Sequence, residues 1–287
     1  MQMPAHFLEH ATPATPAGHP APSSDGPATH GAHAAHAAEQ NALLRLLPAD
    51  EYARLLPHLE PVELGHAQVL CRAEAPIHSV YFPRSAVASL LTPLTDEQPV
   101  EAATVGREGF VGTPIVLGAR ATGVEAIAQI PGTAARLDAS RLAEWLRAPG
   151  AGDGAGGGAP GGVLFPLLLR YAQALQEQTA QSVACNRRHG IDERCARWLL
   201  MTHDRVGADQ GVDTFPLTQE FLAFMLGVRR ASVTVAAGML QHAGLIKYSR
   251  GRITVRDRAG LEAASCECYA VVKRRYGQLL GPEAAVG

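Results

Sequence analysis

Two arginine pairs carry the chemistry most readily read from this chain. Arg229 and Arg230 follow Gly227 in "LGVRRASVTV", and Arg250 and Arg252 flank Gly251 in "YSRGRITV". A guanidinium is always charged, and its rigid fork of donors matches a phosphate or the O6/N7 edge of guanine. From Leu217 to Arg258 seven basic residues face two acidic ones, a local charge of +5 on a chain whose net charge is −2. Such an island points to a polyanionic partner, with a merely solvated charged face as the alternative.

Other reactive side chains make weaker patterns. Six of the twelve histidines (His6, His10, His19, His30, His33 and His36) lie in the first 38 residues, irregularly spaced and without cysteine or carboxylate partners, so no metal site is assigned and no cofactor is identified. Cys71, Cys185, Cys195, Cys266 and Cys268 are odd in number and scattered, which argues against a disulfide framework and for reduced thiols. Cys266 and Cys268 in "SCECY" are a redox candidate whose default is inertness. No G-x-S-x-G, H-E-x-x-H or C-x-x-C pattern supports catalysis, and the glycine run at 148–162 lacks the G-K-[ST] ending of a phosphate loop. The chain is not expected to be an enzyme.

The arginines need a scaffold, and the local sequence supplies one. In "PLTQEFLAFMLGVRRASVTVAAGMLQHAGLI", Thr218 caps a short helix whose Phe221, Leu222 and Met225 face inward. Gly227 permits a sharp turn, Val228 fills the angle, and a second helix from about Arg229 to His242 carries Val233, Ala236, Ala237 and Leu240 at core spacing. This is the pattern of a helix-turn-helix, whose second helix enters a major groove. "GLIKYSRGRITV" then forms two strands, a wing with arginines near phosphates. Thr218, Gln219, Arg229, Arg230, Ser232, Thr234, Arg250 and Arg252 are the expected DNA contacts.

At 287 residues and 47% hydrophobic content the chain can hold several cores. Residues 1–38, poor in large apolar side chains, are expected to be a disordered tail. Short β-branched runs between glycines and prolines predict an antiparallel β-roll sensor within 39–148, entered through two short helices broken at Pro48 and Pro57. A capped helix at 138–147 follows, with Asp138 or Ser140 as N-cap, then a glycine-rich linker at 149–162. Within a helix at 163–190, Leu164, Leu168, Tyr171, Leu175, Gln178 and Ser182 recur in steps of four and three, a heptad seam suited to self-pairing or to packing on the chain's own β-domain. Self-pairing is the preferred expectation. Gly190 is expected as a left-handed C-cap and Asp192 as the next N-cap, opening a winged helix-turn-helix domain at 191–280. His203 sits on a core-facing helix face and is read as a satisfied core histidine. The fold class is therefore α+β. No basic start followed by an apolar core opens the chain, and no apolar run approaches the length of a membrane span, so a cytoplasmic protein without membrane contact is expected.

The succession of a roll carrying "VGREGFVG", a long helix, "IDERCARWLL", "LTQEFLAFMLGVRRASVTVAAGMLQHAGLI" and the wing resembles the Crp/Fnr family of bacterial transcription regulators over residues from about 40 to 280. That resemblance implies a homodimer on a roughly palindromic double-stranded DNA operator, with Arg230 at a base edge and Arg229 on phosphate. RNA polymerase and a small-molecule effector stay open as further partners. Gly106, Glu108, Gly109, Gly112, Arg120 and Thr122 are the effector-pocket candidates it suggests.

Departures from the family pattern are informative. "RRAS" keeps Arg230 and Ser232 but has Ala231 where many members have an acid that reads cytosine, which leaves the operator sequence open. The family's cyclic-AMP receptors grip the cyclic phosphate with an adjacent arginine and serine, whereas the corresponding segment here reads "ARATGVEA". Cyclic AMP is therefore not the expected effector, and only Cys71 precedes the long helix, which speaks against an iron-sulfur cluster. A ligand-binding module joined to a protein-interaction domain is the competing function.

Overall fold

The structure, a computed structural model, describes residues 28–95, 99–148, 160–207 and 211–281. The tail expected to be disordered through residue 38 ends instead in helix α1 (Ala28–Ala37). Alanines favour the helix, and His36 anchors it by stacking on Tyr52 at 4.6 Å and contacting the Arg45 carbonyl at 3.2 Å. His6, His10 and His19 and linker residues 149–159 lie outside the described residues. Two short helices, α2 (Ala42–Arg45) and α3 (Ala49–Leu55), break at the prolines as expected, and Asn41 caps α2.

Seven strands then build the roll: β1 (Glu60–Leu64), β2 (Val69–Cys71), β3 (Ser79–Pro83), β4 (Val87–Thr92), β5 (Val100–Val105), β6 (Glu125–Ile130) and β7 (Gly132–Asp138). They form two antiparallel sheets, in orders β1-β7-β3 and β2-β6-β4-β5. Val80, Phe82, Val87, Val105, Phe110 and Ala128 fill the space between them. The short helix α4 (Thr113–Val116) lies between β5 and β6. Asp138 accepts from the Ser140 and Arg141 amides and so starts α5 (Ala139–Arg147), as expected.

Helix α6 (Leu164–Arg188) crosses back over the roll. Its exposed amides are met from outside the helix, because the Glu51 carboxylate accepts from the Val163 and Leu164 N–H groups at 3.0 Å. A carboxylate at a helix N-terminus also complements the helix dipole. The expected self-pairing seam is a correction. Leu164, Leu168, Tyr171, Leu175 and Gln178 are buried within the chain itself, where Tyr171 meets Phe110 and Tyr276 and Gln178 donates to the Thr104 carbonyl at 3.0 Å. Ser182 is half-buried and accepts from Arg197 at 2.9 Å. A heptad pattern reports only that one helix face is apolar; here the roll and the C-terminal helix cover that face.

Helix α7 (Ile191–Val206) follows after Gly190. The expected left-handed cap is not found there. Gly190 is extended (φ −64°, ψ 161°) and serves as the N-cap of α7, with its N–H held by the Glu193 carboxylate at 2.9 Å. Asp192 therefore falls in the first turn. His203 is buried and satisfied, with Asp213 and Arg258 each 3.1 Å from a ring nitrogen. Two helices absent from the sequence-based expectation, α10 (Arg258–Ala264) and α11 (Cys268–Leu280), follow the wing, and α11 packs along α6. Among the described residues no single helix is long and apolar enough to cross a membrane.

Candidate nucleic-acid interface

Three elements assemble the candidate surface. Helix α8 (Gln219–Leu226) begins at Thr218, whose hydroxyl accepts from the Phe221 N–H at 3.1 Å. It ends at Gly227, at φ +63°, a left-handed conformation that costs glycine nothing and a bulkier residue about 1 kcal/mol. The chain bends by 107° there into α9 (Arg230–His242). Arg229 is the N-cap residue rather than the first helical residue, so the helix starts one position later than expected. Arg194 of α7 donates to the Leu226 carbonyl at 2.5 Å and satisfies the end of α8.

Helix α9 has two distinct faces. Val233, Ala236, Ala237 and Leu240 are buried against the rest of the domain, as the spacing predicted. The opposite face leaves Arg230, Ala231, Thr234, Val235, Gly238 and Met239 exposed, with Arg229 exposed just before it. Val235 is 63% exposed and Met239 49%. Apolar side chains left in water on an otherwise well-packed helix suit a surface that reads thymine methyl groups as well as polar base edges. Thr234 donates to Gln219 at 3.0 Å, tying the starts of the two helices together. Ser232 is half-buried on the first turn.

The wing follows at once. Strands β8 (Thr214–Pro216), β9 (Ile246–Ser249) and β10 (Arg252–Val255) make a small antiparallel sheet in the order β8-β10-β9. Ser249 pairs with Arg252, leaving Arg250 and Gly251 as a two-residue loop at φ +50° and +71°. Positive φ at both positions defines the hairpin turn that matches the strand twist. Holding a non-glycine residue there costs about 1 to 3 kcal/mol, which the fold bears while keeping an exposed arginine at the tip. Arg252 is exposed beside it. Thr218, Gln219, Arg229, Arg230, Ser232, Thr234, Arg250 and Arg252 thus all belong to one helix-turn-helix and wing unit.

The effector-pocket candidates do not converge in the same way. The Glu108 carboxylate accepts from Arg205 at 2.8 Å, deep between roll and α7. An added Cβ at Gly106, Gly109 or Gly112 would meet Arg205, Tyr171 or Val80 at 2.5 Å or less, so these glycines serve close packing rather than line an open cavity. Arg120 is exposed on the far loop, and the Thr122 hydroxyl accepts from the Val124 amide.

The helix-turn-helix unit rests on the roll. Met225 of α8 lies 3.5 Å from the Ser89 hydroxyl, and the Phe221 ring is 5.4 Å from that of His66. Glu101 of β5 joins the same seam, accepting from Ser89 at 2.7 Å and from the Trp198 indole of α7 at 2.8 Å. Burial pushes the Glu101 carboxyl up to about 7 despite those two donors. Nothing in the local sequence "PVEAATV" marked this residue.

Residues 193–264 match the model of the Crp-like helix-turn-helix domain. No curated protein matches the chain. Among solved structures, a CRP-family transcriptional regulator from Thermus thermophilus superposes with a TM-score of 0.54 at 16% identity, over 71% of this chain and 96% of that one. FixK2 from Bradyrhizobium japonicum gives 0.53 at 15% identity, over 72% and 98%. The c-di-GMP responsive global regulator CLP of Xanthomonas campestris gives 0.50 at 17% identity, over 72% and 99%. Residues 193–264 are thus a Crp-like helix-turn-helix domain, and the chain that carries them has the architecture of the Crp/Fnr transcriptional regulators.

Proposed function

We propose that the chain is a sequence-specific DNA-binding transcription regulator that acts as a homodimer on a two-fold symmetric operator. The observation that supports this best is the exposed face of α9, bracketed by Arg229 and Arg230 at one end and by the wing arginines Arg250 and Arg252. Arg230 reads a base edge, Arg229 and the wing hold phosphates, and Val235 and Met239 add apolar contacts in the groove.

Self-association uses the face of α6 that the described residues leave uncovered. Leu169, Ala172, Gln176, Ala180 and Val183 follow steps of three and four, and Leu169 is 39% and Val183 68% exposed. The roll acts as the sensor. Its effector is not cyclic AMP, since Arg120 is exposed rather than enclosed and the Glu108 carboxylate is already paired. A cyclic phosphate sheltered in the roll would need a compensating guanidinium or several aimed donors.

Selection of duplexes from a random pool by the full-length chain, with and without a small-molecule cell extract, tests this reading. The expected product is a two-fold symmetric motif whose affinity falls steeply with salt. No enrichment in either arm, or binding indifferent to salt, would overturn it and favour a protein-interaction role.

A further inference from the structure

Three of the five cysteines meet at one place that none of the roles above uses. Cys185 lies in the last turn of α6 and His189 one turn later, while Cys266 and Cys268 bracket Glu267 at the junction of α10 and α11. The Cys185 and Cys266 sulfurs are 3.5 Å apart, and the Cys268 sulfur is 3.5 Å from His189 Nδ1. All four ligand atoms lie within 4.8 Å of one another. The three thiols are buried and pack on each other as a small cluster separate from the main apolar core.

We propose that Cys185, His189, Cys266 and Cys268 form a closed site of three thiolates and one imidazole for a single zinc ion that fastens α11 to α6. A tetrahedron with Zn–S near 2.3 Å and Zn–N near 2.0 to 2.1 Å has edges of about 3.8 Å between sulfurs and about 3.6 Å from sulfur to nitrogen. The Cys185–Cys266 and Cys268–His189 separations of 3.5 Å lie close to those values. Two partners orient the ligands. Gln181 donates to the Cys268 sulfur at 3.0 Å, and the Glu267 carboxylate lies 3.1 Å from His189 Nε2. A carboxylate on the far nitrogen keeps Nδ1 free of its proton and turned to the ion, the arrangement in which metal-binding histidines are held.

The donor set narrows the occupant. Thiolates and an imidazole suit zinc and disfavour magnesium or calcium, which seek oxygen. An iron-sulfur cluster spreads its ligands over several irons, whereas these four atoms lie within 4.8 Å of one another, near enough to share one ion. A Cys185–Cys266 disulfide needs its sulfurs near 2.05 Å and would leave Cys268 and His189 without a role. Binding displaces the thiol protons, changes no oxidation state and leaves the three thiolates and the ion with a net charge of −1. Arg194 and Arg197, both close enough to act on Cys185, offset that charge.

The clamp sits where it controls the C-terminal helix. Farther along α11, Tyr276 donates to Gln178 of α6 at 2.9 Å, and Arg275 pairs with Glu177 at 3.1 Å. The zinc would join the start of α11 to the end of α6, where Cys185 and Cys266 stand 81 positions apart, and so close a loop that contains α7, the helix-turn-helix and the wing.

The test is the metal content of the full-length chain, purified under reducing conditions and then incubated with zinc sulfate and desalted. One zinc per chain is expected, released by a mercurial thiol reagent, with an X-ray absorption edge fitted by three sulfurs and one nitrogen. Cobalt substitution should give the intense visible bands of a tetrahedral cobalt thiolate. Cys266→Ser and His189→Ala should lose the metal, and Cys71→Ser, which removes a thiol outside the cluster, should keep it. A wild-type chain without zinc after incubation, a coordination sphere of oxygens or of bridged irons, or equal zinc loss in Cys71→Ser would overturn the proposal. The absorption spectrum is taken on the wild-type chain, so it decides the matter even if Cys266→Ser fails to fold.

Discussion

Arg205 of α7 donates to Glu108 of the roll at 2.8 Å, with the two side chains only 1% and 3% exposed. The same guanidinium reaches the Met201 carbonyl at 2.9 Å and Gln178 at 3.1 Å, so one cation ties the roll, α6 and α7 together. Gly106 is glycine for this reason, because a Cβ there would lie 2.5 Å from Arg205 Cγ. Removing one partner of a buried pair strands the other charge, at a cost of about 3 to 5 kcal/mol. Arg205→Met should lose stability of that order in urea unfolding, and the double variant Arg205→Met with Glu108→Leu should regain a large part of it. Additive losses would show that the pair is not the source.

The two arginine pairs should divide their labour. Arg230→Ala is expected to cost about 1 to 3 kcal/mol on the selected operator and to relax one base position. Arg252→Ala, at the wing, should weaken operator and random DNA alike and flatten the salt slope. Fluorescence anisotropy at several salt concentrations separates them, and equal losses on both DNAs for Arg230→Ala would remove it from the base edge.

Glu101 should make the chain less stable as pH rises through the weakly acidic range. Its carboxyl, pushed by burial from 4.5 to about 7, keeps its proton in the folded state after the unfolded chain has lost it. The stabilisation is complete below pH 4.5 and fades as the pH approaches 7, by up to about 3 kcal/mol for a shift of this size. Glu101→Gln keeps an acceptor for Trp198 and cannot ionise. Its unfolding free energy should show a smaller decline between pH 4.5 and 7 than the parent; parallel profiles would contradict the assignment.

The two faces of α6 should respond differently to charge. Leu169→Asp with Val183→Asp, on the uncovered face, is expected to give a folded monomer by sedimentation. Leu168→Asp alone buries a carboxylate at a fully covered position and should unfold the chain. A folded dimer that survives the first pair of changes would place the interface elsewhere.

Much of this protein is written in short stretches of chain. Thr218, Gly227 and the period of Val233, Ala236, Ala237 and Leu240 specify the helix-turn-helix because caps, left-handed turns and helix faces are set by residues a few positions apart. The same holds for the wing turn at Arg250 and Gly251 and for the alternating strands of the roll. What lay beyond local reach was which surface each face meets. The period of Leu164, Leu168, Tyr171 and Leu175 announced an apolar stripe, yet only the packed chain shows that Phe110 and Tyr276 cover it, so the seam expected for a partner belongs to the core.

Long-range pairing decided the rest. Glu108 is an effector-pocket candidate by its place in the chain, and Arg205, 97 residues away, holds its carboxylate. Cys185 and Cys266 are separated by 81 residues and carry no metal motif between them, and burial by α11 brings them into contact. Sequence determined the parts whose hydrogen bonds close within a turn or two. Tertiary structure decided every charge and thiol whose partner had to come from another element, because only the folded chain excludes water from between them.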